Sequence, residues 1–189
     1  GAAMSEPAVL YEAKDFIATI TLNRPENRNS MTEDVFEGLR ASIARVKEDP
    51  ELRCVIITGR GKSFCAGADF KTGVQRDGGA TRTLLPNERS FNMYKPFLSI
   101  LSIEIPVIGA LQGHAIGGGF GLAVVCDIRV ANRDARFGAN FTRLGIHPGM
   151  ATTYILQEPP PEPAPGRAGA AGRGAAGRPA AKPPAKPAA

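Results

Sequence analysis

Gly113-His114-Ala115-Ile116-Gly117-Gly118-Gly119 holds four glycines in seven residues, between the apolar run Val107–Ala110 and the small-residue segment that ends at Cys126. The run reads as a buried strand and Gly117–Cys126 as a helix opening on three glycines. A second stretch, Phe64-Cys65-Ala66-Gly67-Ala68-Asp69, stands in the same relation to the β-branched run Cys54–Thr58, a buried strand ending at Gly59. Small side chains let a ligand approach the backbone closely. Free N–H groups at a helix start point outward and favour negative charge. Two such loops brought together can donate two backbone hydrogen bonds to one oxygen, the construction of an oxyanion hole. The same glycines also suit tight turns and close helix packing, so both readings stay open. Neither loop ends in Gly-Lys-Ser/Thr or carries Gly-x-Gly-x-x-Gly, which argues against a phosphate loop.

Outward from these loops the chain reads as α/β. Val9–Tyr11 and Phe16–Leu22 are expected strands, joined by a turn at Ala13–Asp15. Asn23–Ser30 is a loop containing Arg24-Pro25. Thr32 fits an N-cap, with Glu33 and Asp34 in the first turn. Val35, Leu39, Ile43 and Val46 then recur at helical spacing up to Asp49-Pro50. Ser63–Asp69 is expected to be loop, Lys71–Pro86 mobile, and Glu88–Ser102 helical with an interruption at Pro96. Ile128–Ala131 is a short strand, Phe137–Met150 mostly loop, and Thr152–Leu156 the start of a helix.

Composition divides the chain near residue 158. In 159–189, 25 of 31 residues are Pro, Gly or Ala, with no aromatic or large aliphatic side chain. Such a segment cannot bury enough apolar surface to offset its ordering entropy, so it is expected to be disordered and open to proteolysis. Residues 4–157 form the expected folded core, and 158–189 a basic tail. The net charge of +5 is mostly the tail's. Arg167, Arg173, Arg178, Lys182 and Lys186 face only Glu162 there, leaving +1 for the remainder. The charge is therefore no sign of a nucleic-acid partner. No apolar stretch approaches the roughly 18 residues of a membrane span. The N-terminus lacks a secretory pattern, and Gly1-Ala2-Ala3 reads as an addition before a start at Met4. Cys54, Cys65 and Cys126 have no metal-site spacing and fit a reducing cytoplasm.

The chain resembles the crotonase (enoyl-CoA hydratase/isomerase) superfamily over about residues 8–157. The resemblance rests on Ile20-Thr21-Leu22-Asn23-Arg24-Pro25, Asn27-Arg28-Asn29-Ser30-Met31, Val55-Ile56-Ile57-Thr58-Gly59 and Ser63 through Asp69. It continues through Ile105-Pro106-Val107-Ile108-Gly109-Ala110, the Gly113–Gly119 stretch, Cys126-Asp127-Ile128-Arg129, Phe137-Gly138 and Leu144-Gly145-Ile146-His147-Pro148-Gly149. It implies a spiral of repeated β-β-α units, a homotrimer or hexamer, and an acyl-CoA thioester substrate. Coenzyme A enters only as part of that substrate, with no permanent cofactor and no metal. Carried over by position, the Ala68 and Gly118 N–H groups hold the thioester oxygen. Arg28, Ser30, Ala66, Gly67, Asp69 and Lys71 lie in the segments that contact coenzyme A.

Two departures follow from the same resemblance. Hydratases of the family use two glutamates, and those positions here are Gly121 and Phe141. Neither can act as a general acid or base, which speaks against conventional hydration. Asp69, His114, Asn140, Arg143 and His147 are the polar groups nearest these loops, and Tyr94 and Lys95 lie where the family shapes its acyl pocket. Each also has an ordinary reading, as cap, brace, packed ring or surface charge. The family also continues for about a hundred mostly helical residues beyond the Pro148-Gly149 region. Here Glu158-Pro159-Pro160-Pro161 follows instead, so that helical region is expected to be missing or replaced, by a frameshift or a natural linker. The readings are an enolate-stabilising acyl-CoA enzyme, a non-catalytic acyl-CoA-binding or assembly protein, and an inactive fragment.

Overall fold

A computed structural model of the chain describes residues 6–68, 94–145, 147–149 and 152–156. The expectations for Met4, for the 71–86 segment and for the 158–189 tail lie outside these residues. Strand β1 (Val9–Lys14) turns back into β2 (Ile17–Leu22), pairing antiparallel with Lys14 opposite Ile17. The turn is therefore Asp15-Phe16 rather than Ala13–Asp15. Both residues have positive φ, 51° and 66°, the mirror-image turn whose twist matches that of the flanking strands. Phe16 is an unusual residue for that conformation, so composition pointed one residue too early.

Helix α1 (Glu33–Glu48) follows, and Val35, Phe36, Leu39, Ile43 and Val46 bury its apolar stripe. These pack in one core with Ala18, Ile20 and Leu22 of β2 and with Val55 and Ile57 of β3 (Cys54–Gly59). Thr32 occupies the N-cap position, but its hydroxyl does not cap a backbone N–H. It donates to the Asp34 carboxylate, a stronger acceptor, which also accepts from the Val35 N–H at 3.1 Å and pairs with Arg24 at 3.1 Å.

From β3 onward the chain repeats one unit. Strand β3 leads to the short buried strand β4 (Ser63–Cys65), and residues 94–98 are helical before the 3₁₀ turn Ser99–Ser102. Next come β5 (Val107–Leu111), β6 (His114–Ile116) and helix α2 (Gly118–Val124), then β7 (Ile128–Ala131), β8 (Phe137–Gly138) and the 3₁₀ turn Thr142–Leu144. The first strand of each unit joins a five-stranded sheet ordered β1-β2-β3-β5-β7, and the second joins a three-stranded sheet ordered β4-β6-β8. All pairings after β1–β2 are parallel. This is the spiral of β-β-α units expected from the resemblance. Three expected loops were in part strands: Ser63–Cys65, His114–Ile116 and Phe137–Gly138. Runs of two or three residues carry no readable period, and only pairing across the spiral makes them strands. A last helical turn, Thr152–Ile155, begins where expected.

Candidate functional site

Parallel pairing of β4 with β6 sets Ser63 beside His114 and Cys65 beside Ala115. Both strands therefore deliver their glycine-rich exits to the same end of the small sheet. Gly67 (φ 84°) and Gly117 (φ 57°) make turns that other residues adopt only with strain. The approach is close: a Cβ on Gly67 would stand 2.7 Å from the Ile116 carbonyl oxygen and 3.0 Å from the Gly118 nitrogen. A Cβ on Gly119 would overlap the Cys65 carbonyl oxygen. The reading as tight turns and close packing holds, and the same packing brings Gly67-Ala68 against Gly118.

A third segment completes the arrangement. The Ala66 N–H donates to the Arg28 carbonyl at 3.0 Å, and the Met31 N–H donates to the Gly67 carbonyl at 2.9 Å. Met31 and Ala68 form an isolated parallel bridge. Arg28 and Asn29 are left-handed, φ 59° and 54°, which swings the chain back toward this contact. Asn29 holds the turn from a fully buried position. Its Oδ1 accepts from the Arg24 N–H at 2.8 Å, and its Nδ2 donates to the Arg60 and Ser63 carbonyls, both at 2.9 Å.

Of the expected site residues, Ala66, Gly67, Ala68 and Gly118 converge, with Arg28 and Ser30 on the adjoining segment. Arg28 is exposed. Ser30 is buried, and its hydroxyl donates to the Asn27 carbonyl at 2.7 Å. Asp69 and Lys71 lie outside the described residues. Among the described residues, neither the Ala68 nor the Gly118 N–H donates to a backbone acceptor in the surrounding turns and loops. Gly121 lies buried in α2 and donates to the Gly117 carbonyl at 3.1 Å, while Phe141 is 4 % exposed. Asn140 is half-buried, with its Oδ1 3.1 Å from where a Gly117 Cβ would stand.

The neighbouring polar groups divide. His114 Nδ1 accepts from the Arg136 N–H at 3.1 Å, and His147 Nδ1 lies 2.7 Å from the Pro148 carbonyl, both at exposed positions. Arg143 is exposed. Tyr94 is half-buried with its hydroxyl against Gly149, and burial raises its pKa. Burial pushes the Cys65 thiol up to about 12, against the opposing Gly67 hydrogen bond, so Cys65 is no nucleophile near neutral pH. Among the described residues no group of His, Cys, Asp or Glu could hold a metal ion. A cavity of about 380 Å³ lies elsewhere, between the end of α1 and Ser102–Ile105, and none of the site residues lines it. The chemistry therefore points to the paired loops and not to this cavity.

Sequence reasoning missed the bracing role of Asn29 and that of Gln112, whose side chain accepts from the Gly59 N–H at 3.2 Å and donates to the Ser63 carbonyl at 2.9 Å. The left-handed tolerance of asparagine after a Pro-containing turn was the available signal for Asn29. Nothing local marked Gln112, whose partners lie some fifty residues away.

The enoyl-CoA hydratase/isomerase family model matches residues 12–161. The chain is 39 % identical over 149 residues to a Mycobacterium tuberculosis protein named probable enoyl-CoA hydratase EchA14, covering 79 % of this chain and 56 % of that protein. It is 34 % identical over 155 residues to (E)-benzylidenesuccinyl-CoA hydratase of Thauera aromatica, covering 82 % of this chain and 58 % of that one. The crystal structure of an enoyl-CoA hydratase from Mycobacterium smegmatis superposes with a TM-score of 0.68 at 31 % identity, covering 80 % of this chain and 57 % of that chain. The chain thus spans somewhat over half the length of these relatives. With a family match over most of its residues and the same spiral of β-β-α units, the chain belongs to the enoyl-CoA hydratase/isomerase family and has the crotonase fold.

Proposed function

We propose that the protein binds an acyl-CoA thioester and stabilises its enolate through the backbone N–H groups of Ala68 and Gly118, without being a standard hydratase. The observation that carries this is the convergence of the two loops, with Gly67 and Gly118 in backbone contact at the ends of paired strands. An enolate oxygen carries developing negative charge, and donors already aimed at it stabilise that charge without reorganising. Ala66 and Gly67 carry no more than a methyl group, so coenzyme A can approach the backbone closely there. Arg28 is exposed beside it and supplies a cation for the coenzyme A moiety. Ser30, Asp69 and Lys71 complete the coenzyme A contacts of this proposal.

The same proposal holds that hydration is lost. Gly121 and Phe141 stand where the resemblance places the acid–base glutamates, one without a side chain and the other a buried apolar ring. Loss of a positioned acid or base costs about 10²–10⁴-fold each. The compatible chemistry is isomerisation, decarboxylation or hydrolysis through an enolate. Assembly as a homotrimer or hexamer and a cytoplasmic location belong to the proposal too. The free thiols of Cys54, Cys65 and Cys126 fit a reducing compartment.

A structure with butyryl-CoA bound tests the binding step: the thioester oxygen is expected within about 3.1 Å of both amides. A thioester bound elsewhere overturns the proposal. Crotonyl-CoA hydration tests the chemical step, and turnover near the enzyme median of about 10 per second would refute the loss of hydration. Tight binding with no turnover of any acyl-CoA would favour the non-catalytic reading.

A further inference from the structure

Met31, on the third segment, contacts both glycine-rich loops, and the sequence reading gave it no role of its own. Its N–H donates to the Gly67 carbonyl at 2.9 Å, and its backbone bridges to Ala68. Its thioether lies against Gly118: a Cβ there would stand 2.6 Å from Sδ and 3.0 Å from Cε. Met31 itself is buried, 7 % exposed, in the same core cluster as Phe64, Cys65 and Leu122. Main chain and side chain of one residue therefore contact both donor loops.

We propose that Met31 is the positioning residue that sets the separation of the Ala68 and Gly118 amides; the inference rests on the oxyanion reading above. Two N–H groups act on one oxygen only if each lies about 2.7–3.1 Å from it. Productive sites hold such geometry to within roughly 0.5 Å. On the Ala68 side the backbone bridge fixes the distance. On the Gly118 side the thioether packs beside the direct Gly67–Gly118 and Cys65–Gly119 backbone approaches, and glycine lets it come close to the Cα. A shorter side chain leaves the bridge and the other α2 contacts intact but removes the packing at Gly118, so the Gly118 amide shifts relative to that of Ala68 while the fold persists. Leucine is nearly isosteric with methionine and keeps the contact.

Infrared difference spectra of bound butyryl-CoA, ¹³C-labelled at the thioester carbonyl, provide the test on the full chain. The unsubstituted protein is expected to shift the carbonyl band to lower frequency, and Met31→Leu to retain that shift. Met31→Ala is expected to lose most of it while the affinity for free coenzyme A stays unchanged. If Met31→Ala does not fold, Met31→Val, which keeps an apolar side chain but withdraws the atoms that reach Gly118, is expected to behave in the same way. An undiminished shift in the shortened variant overturns the inference and leaves the oxyanion reading standing. Absence of a shift in the unsubstituted protein overturns both. Parallel loss of affinity for coenzyme A and butyryl-CoA in Met31→Leu marks a merely structural core residue and likewise overturns it.

Discussion

Asn29→Ala tests whether the site depends on one buried amide. The side chain is fully buried and makes three hydrogen bonds that tie the turn after Arg24-Pro25 to the β3–β4 connection. The losses are unequal. The Ser63 carbonyl keeps a second donor, Gln112 Nε2 at 2.9 Å, and Arg60 is exposed and can turn to water. Each of those two bonds is worth about 0.5–1.5 kcal/mol. The Arg24 N–H loses its acceptor in a part-buried place, at about 1–3 kcal/mol. Alanine at φ 54° adds several tenths to about 1 kcal/mol that asparagine tolerates better. The sum is about 2–7 kcal/mol, a large share of a typical stability. With a urea m-value of about 1–3 kcal/mol/M, the denaturation midpoint falls by roughly 1 M or more. Asn29→Asp is expected to be at least as harmful at pH 7, because a carboxylate would face the Arg60 and Ser63 carbonyls with no proton to give. Acidification should restore part of the loss. Urea unfolding followed by circular dichroism reads both variants. A cost below about 1 kcal/mol for Asn29→Ala, with an unchanged m-value, would refute the reasoning.

Other expectations are more local. Gly67→Ala combines a φ of 84° with a Cβ 2.7 Å from the Ile116 carbonyl, so it should force the two loops apart and weaken butyryl-CoA binding at least tenfold in calorimetry. Burial holds the Cys65 and Cys126 thiols at about 12, with a smaller pull down from Arg129 at Cys126. In native protein at pH 8 a maleimide should therefore label Cys54 first, and the other two only as the chain unfolds. Folding that suppresses these thiolates adds stability that is full below the ordinary thiol pKa, about 8.5, and lost as pH rises toward 12. For Asp34, burial would raise the pKa, but the Thr32 hydroxyl, the Arg24 guanidinium and the Val35 N–H together lower it. Its contribution is thus present above about pH 4 and lost as pH falls through the lower folded value. The Asp34→Asn variant should lose less stability than the unsubstituted protein on acidification from pH 5 to pH 2. An identical acid profile would remove Asp34 from the account.

The sequence by itself determined the fold class and the two loops. Long periodic segments such as 33–48 and the β-branched run 54–58 declare their structure through spacing alone, because the buried face of a helix or strand must repeat with the backbone. The glycines at 67 and 117–119 were visible as places where backbone comes close to something, though not to what. Tertiary structure decided the rest. The small sheet exists because β4, β6 and β8, each two or three residues long, find partners one turn of the spiral away. No local period encodes that pairing. It is also what carries the Ala66–Ala68 exit to the Gly117–Gly119 exit. Met31 and Asn29 acquire their places for the same reason. Each looks ordinary among its chain neighbours, and its role comes from atoms that lie some thirty to ninety residues away in sequence and within contact distance in space.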